Sequence, residues 1–222
     1  MRELFFALGI LCAAQPVLAA DTNAVLNGWF AAQKDVRTWS ADFTQTRRLK
    51  TLTQPLVTAG RLSFAAPNDF RWELGQPAQT IALRHESEMF LIYPRLKRAE
   101  RYSLGAAAPR EMRDAMSLLN AGFPNNRQEF EAQFQILQIT ETNGVWQLSL
   151  QPRSKFARQW MPELRLGLSS SNFSLTATEL TFADGSSMRS DFTNAVMNPT
   201  LSTNLFVWKA PEDFKVTSPL SK

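Results

Sequence analysis

In this chain of 222 residues, 24 Lys and Arg oppose 20 Asp and Glu, a net charge of only +4, and 44% of the residues are hydrophobic. That is enough apolar material for one domain with a sizeable core, and the charge is too low for a disordered chain. A single cysteine and a single histidine exclude a disulfide framework, thiolate or multi-histidine metal centres, and all but one anchor for a Ser-His-Asp triad.

The N-terminus reads as a secretory leader. Arg2 lies in a short basic segment, residues 4–14 form an apolar run, and Pro16, Val17, Leu18 and Ala19 bring small residues to where a signal peptidase cuts. Residues 1–19 are expected to be removed and 20–222 to form a single domain. The leader's run is too short to span a bilayer, and no later segment approaches the roughly 20 apolar residues that spanning requires. The mature chain is therefore expected to be soluble. Cys12 invites a lipoprotein reading, but Leu11 before it is too large for that signal. Removed with the leader, Cys12 leaves a mature chain whose fold must rest on its apolar core.

Residues 21–37 predict an amphipathic helix, with Val25, Leu26, Trp29, Phe30 and Val36 near helical spacing and Asp21 or Thr22 as its cap. Residues 39–50 alternate as a strand with Trp39, Ala41 and Phe43 on one side. Residues 56–64, 69–74, 80–83, 88–93 and 97–102 follow as short strands of an antiparallel meander. In the third strand Phe70, Trp72 and Leu74 share one face, and Asp69, Arg71 and Glu73 share the other. Pro67 and Asn68 favour a turn, so Leu62 and Phe64 can pair back against this strand. Its bulky apolar face needs a cover: a second sheet, a helix or a ligand.

The strand pattern breaks at Pro109. Residues 111–119 space Met112, Ala115, Met116 and Leu119 as one helical stripe, which Phe123 and Pro124 end. Strands resume over 134–140 and 145–151 around an Asn143-Gly144 hairpin, then over 164–168, 174–182 and 187–193, with Asp184-Gly185 as a second tight turn. A last strand is expected at 206–208, before a Pro-bounded tail. The fold class is α+β: an incomplete antiparallel β-barrel of about 10 or 11 strands, with helices covering the concave apolar face.

Catalytic equipment is sparse. His85, between Arg84 and Glu86, reads as a surface residue, Gly144 and Gly185 serve their turns, and Glu179, Asp184 and Asp191 read as solvated hairpin carboxylates. No enzyme, cofactor or metal site is expected. Arg47, Arg48 and Lys50 form one basic run and Arg95, Lys97, Arg98 and Arg101 another, either solvated sheet faces or a surface for acidic proteins or anionic lipid headgroups. The leader takes the chain out of the cytoplasm, so no nucleic-acid partner is expected. What remains is an apolar interior, and its residues fit a filled core and a ligand cavity equally.

A helix followed by Trp39-Ser40-Ala41-Asp42-Phe43-Thr44-Gln45, Gly60-Arg61-Leu62-Ser63-Phe64, Pro67-Asn68-Asp69-Phe70-Arg71-Trp72 and Tyr93-Pro94 resembles the periplasmic outer-membrane lipoprotein carrier family, LolA. Asn204-Leu205-Phe206 and Pro211-Glu212-Asp213-Phe214-Lys215-Val216 are similar to that family's closing segment. The resemblance implies a monomeric periplasmic carrier whose helix-lidded cavity takes the acyl chains of a lipoprotein or other lipid client. It also implies an inner-membrane donor and an outer-membrane acceptor. The expected lining is Phe43, Leu62, Phe64, Phe70, Trp72, Leu74, Leu91, Met112, Met116 and Leu119. A periplasmic lipid-sensing regulatory or scaffolding module of the same fold is the alternative. The family carries a basic residue before this Pro-Asn, where it holds the lid closed; here Ala66 stands, preceded by Ala65. Either other residues fasten the lid, or the chain belongs to a divergent branch with a client other than a triacylated lipoprotein. The basic run around Arg95–Arg101 also resembles divergent LolA-like proteins, which are associated with export of other acylated or polyene lipids.

Overall fold

The structure, a computed structural model, describes residues 21–104, 108 and 121–219. Helix α1 (Thr22–Gln33) starts where Asp21 accepts a hydrogen bond from the Asn23 amide at 2.9 Å, and it buries Val25, Leu26, Trp29 and Phe30 as one stripe. It stops short of the expected residue 37. The side-chain oxygen of Asn198 accepts from the amides of Arg37 and Thr38 at 2.7 and 3.3 Å, which turns the chain into the first strand instead.

Twelve strands follow among the described residues. Five hairpin-linked strands open the sheet: β1 (Thr38–Arg48), β2 (Leu56–Ala65), β3 (Asp69–Leu74), β4 (Thr80–His85) and β5 (Glu88–Tyr93). A 3-10 turn at Pro94–Leu96 leads to β6 (Arg98–Ser103). After α2 (Arg127–Gln133) come β7 (Phe134–Thr142), β8 (Val145–Pro152), α3 (Lys155–Trp160), β9 (Glu163–Ser169), β10 (Leu175–Thr181), β11 (Ser187–Met197) and β12 (Lys215–Thr217). They form one sheet in the order β12-β6-β5-β4-β3-β2-β1-β11-β10-β9-β8-β7. Every neighbour is antiparallel except β12, which lies parallel on β6. Irregular register in β1, β7 and β10 marks bulges that sharpen the bend of so many strands. The edge strands β7 and β12 do not pair, so the barrel stays incomplete.

The predicted pairing of the third strand holds: Phe64 lies opposite Phe70 and Leu62 opposite Trp72. The predicted hairpins hold too, with Asn143 and Gly144 at φ 53° and 76° and Gly185 at φ 85°, the left-handed geometry that tight turns demand. Three expectations are corrected. The sheet has twelve strands rather than ten or eleven. Residues 206–208 are not a strand: Thr203–Phe206 is a 3-10 turn, and the tail beyond it supplies β12. Helices α2 and α3 were not anticipated, because each shows only one buried apolar position, Phe130 and Ala157 respectively. The helix expected over 111–119 lies outside the described residues.

The tail errs because an apolar run alone does not reveal what it packs against. Phe206, Trp208 and Phe214 join Ile81, Leu83, Ile92 and Ala99 in a second core on the outer face of β4–β6. Residues 198–217 thus form a strap across the back of the sheet. Arg71 helps hold it, donating to the Leu205 carbonyl at 3.4 Å, and Lys97 pairs with Asp213 at 2.7 Å.

Candidate lipid-binding face

Strand register determines which side chains stand together on the inner face of β1–β6. One row runs Ala41, Leu62, Trp72, Ala82, Leu91 and Glu100; the next runs Trp39, Phe64, Phe70, Arg84, Met89 and Tyr102. Leu74 stands beyond the first row, opposite Gly60. Gly60 is required there: a Cβ would collide with the Phe43 ring and the Glu73 carbonyl. The missing side chain lets the Phe43 ring pack against Trp72, with centroids 4.4 Å apart and ring planes inclined by 44°.

Burial along these rows is uneven. Phe43, Leu62, Phe64 and Phe70 are 2%, 6%, 7% and 6% exposed, so they form a packed floor. Phe123 stacks on Phe64 at 4.4 Å with rings inclined by 10° and contacts Trp39 at 5.2 Å, which fills that end of the face. Trp72, Leu74, Ala82 and Leu91 are only partly buried, although they pack against the same core. Of the expected lining, then, Phe43, Leu62, Phe64 and Phe70 lie in the floor, and Trp72, Leu74 and Leu91 stand on its accessible surface. Met112, Met116 and Leu119 lie outside the described residues.

The other half of the inner face is largely filled by leucines. Leu148, Leu150, Leu164, Leu166 and Leu168 are almost wholly buried in one core with the stripe of α1. Trp29 of α1 meets Phe130 of α2 edge-on at 5.1 Å, and Phe130 meets Phe134 at 5.2 Å. Partly buried apolar groups remain on both halves, Trp72, Leu74, Ala82 and Leu91 standing together on β3–β5 and Ile136, Trp146 and Leu180 on β7, β8 and β10.

Three polar groups on this apolar wall, Arg84, Glu100 and Tyr102, escaped the sequence reading. Burial lowers the pKa of Arg84, against the opposing pull of the Asp69 charge. Burial and a 2.7 Å hydrogen bond donated to Glu100 push the Tyr102 hydroxyl up to about 12. Strand parity could have found them, since Arg84 falls on the face of Ala82 and Tyr102 on that of Glu100. His85 Nδ1 lies 3.0 Å from Asp69 Oδ2, a contact that ties the β4 end to β3. Among the described residues no group of three or more His, Cys, Asp or Glu could hold a metal ion, and no helix is long and apolar enough to cross a membrane. A groove of about 360 Å³ lies on the outer face, between the strap and β5–β6, lined by Glu88, Phe90, Arg101, Trp208, Ala210 and Val216.

Comparison with curated protein sequences returns no match. Among solved structures, an uncharacterized conserved protein from Thermus thermophilus superposes with a TM-score of 0.51 at 9% identity, covering 88% of this chain and 98% of that one. A LolA superfamily protein from Nitrosomonas europaea gives 0.44 at 9% identity, with 84% and 97% covered. The Mycobacterium tuberculosis lipoprotein LppX gives 0.43 at 8% identity, with 80% and 96% covered. The family described as outer membrane lipoprotein carrier protein LolA matches residues 34–209, a span from the end of α1 to the strap that includes the whole accessible face. The chain belongs to the LolA family, as a divergent member.

Proposed function

We propose that the protein is a periplasmic carrier, made with a leader at 1–19 and a single domain at 20–222, that shields acyl chains of a lipoprotein or other lipid between the inner and outer membranes. The observation that carries this reading is the row of partly buried apolar groups Trp72, Leu74, Ala82 and Leu91 standing together on the inner face over a packed aromatic floor. Membership of a family described as lipoprotein carriers supports it. An acyl chain of about 15 carbons exposes on the order of 12 kcal/mol of apolar surface to water, so a chain in transit needs such a wall. Arg84 and Tyr102 supply polar groups beside it, suited to the ester or headgroup end of the cargo. Arg84 also offers a basic group on the inner face where the family's arginine is replaced by Ala66. No nucleophile with a partnered base stands on this face among the described residues, and carriage needs none. An inner-membrane donor and an outer-membrane acceptor complete the scheme.

The test is direct. Protein purified from its own host should release lipid on organic extraction, detected by mass spectrometry. It should also bind a fluorescent acyl probe, and Leu91→Glu should weaken that binding. Absence of both copurified lipid and probe binding refutes the carrier reading.

A further inference from the structure

The hairpins β1–β2, β3–β4, β5–β6 and β10–β11, together with the α3 connection from β8 to β9, all turn at one end of the sheet. The pairs Arg47 with Leu56, Leu74 with Thr80, Tyr93 with Arg98, Thr181 with Ser187 and Leu150 with Leu164 require it. Ten large apolar side chains are exposed among the described residues, and five of them crowd this rim: Leu52 46%, Leu56 47%, Val57 61%, Leu96 68% and Trp160 66%. Each comes with bases. Arg47, Arg48 and Lys50 precede Leu52, Arg95 and Lys97 flank Leu96, and Arg153 and Lys155 precede Trp160, all on the surface. Of the nearby carboxylates, Glu163 is paired with Arg165 at 2.8 Å and Asp213 with Lys97 at 2.7 Å, while Asp184 accepts from the Ser186 hydroxyl at 2.6 Å and keeps its charge. Glu212 adds one exposed acid. The opposite rim turns on polar residues, Asn68, Glu86, Asn143, Ser170 and Asn172, with Val196 and Met197 its exposed apolar exceptions.

We propose that this rim docks on an anionic lipid bilayer. Apolar side chains on three separate connections, the β1–β2 hairpin, the turn before β6 and the end of α3, with a tryptophan among them and bases around them, match the layering of a membrane surface. Rings and aliphatic tips enter the headgroup boundary while Arg and Lys meet the phosphates. A folded protein partner would instead call for a contiguous apolar patch of complementary shape. The inference goes beyond the carrier reading and does not depend on it.

The experiment is sedimentation of the mature protein with phosphatidylcholine vesicles, with and without phosphatidylglycerol. Partition is expected only with the anionic lipid, weakening with salt and by about fivefold for each of Arg95→Gln and Arg153→Gln. Leu96→Asp and Trp160→Asp, both at exposed positions, should lower partition about tenfold while leaving the far-ultraviolet spectrum and the melting temperature unchanged. Acyl-probe binding measured on the same variants should stay at the parent value, so a failed carrier reading and a failed docking surface give different results. Equal partition on neutral vesicles, variants indistinguishable from the parent, or no partition at all overturns the proposal; the last result would leave an acidic protein as the occupant of the rim.

Discussion

Phe43 and Trp72 touch across the inner face at 4.4 Å, yet replacing each by alanine should change a different property. Phe43 is 2% exposed, with Phe192 edge-on to it at 6.0 Å and to Trp72 at 6.2 Å, and with the space above Gly60 shaped around its ring. Phe43→Ala removes the ring and leaves a cavity that rigid strands do not close, at a cost of about 3–5 kcal/mol. For a domain of this size that corresponds to a fall in melting temperature of roughly 10 °C. Trp72 is already partly in contact with solvent, so Trp72→Ala forfeits about half as much, near 2 kcal/mol. Its accessible part should instead matter to cargo. About 80 Å² of ring covered by an acyl chain is worth roughly 2 kcal/mol, or about thirtyfold in probe affinity. Thermal unfolding followed by circular dichroism gives the first quantity and titration with a fluorescent acyl probe the second. The reasoning fails if Trp72→Ala lowers the melting temperature as far as Phe43→Ala does while probe affinity stays at the parent value. Trp72 would then be core, and the wall over β3–β5 no binding surface.

Asn198 joins the end of β11 to the start of β1, accepting from the Arg37 and Thr38 amides and donating to the Asp35 carbonyl at 3.0 Å, with a left-handed φ of 55°. Asn198→Ala loses these bonds and strains the backbone, so urea denaturation should show a loss of about 3 kcal/mol, with Asn198→Gly recovering about 1 kcal/mol of it through relief at φ; equal losses in the two variants would refute the role given to φ. Tyr102 titrates near 12 in the folded chain and at its ordinary value of 10.0 when unfolded. A raised pKa favours the folded state while the phenol is protonated, so this contribution is complete below pH 10 and is lost as pH rises toward 12. In a Tyr93→Phe background, ultraviolet difference absorbance should place the phenol's midpoint near 12, and a midpoint near 10 refutes the burial and Glu100 contacts assigned to it.

Most of the sheet was readable because strand periodicity is local. Alternation over Asp69–Leu74, a Pro-Asn turn and two Gly-containing hairpins specify faces and neighbours within a few residues of chain. The same parity would have put Arg84 and Tyr102 on the apolar face, but a basic residue beside a histidine reads locally as surface. The strap was not legible. Phe206 and Trp208 satisfy a strand pattern, and nothing nearby in sequence reveals that their partners are Ile81 and Leu83, more than a hundred residues earlier.

The sequence by itself determined an antiparallel α+β sheet with one bulky apolar face, because pleat and turn chemistry act between neighbouring residues. Only the tertiary structure decided how that face is divided. Phe43, Leu62, Phe64 and Phe70 carry the same chemistry as Trp72, Leu74 and Leu91, and whether a ring becomes floor or accessible wall depends on what α1, α2, Phe123 and the gap at Gly60 bring against it from far along the chain.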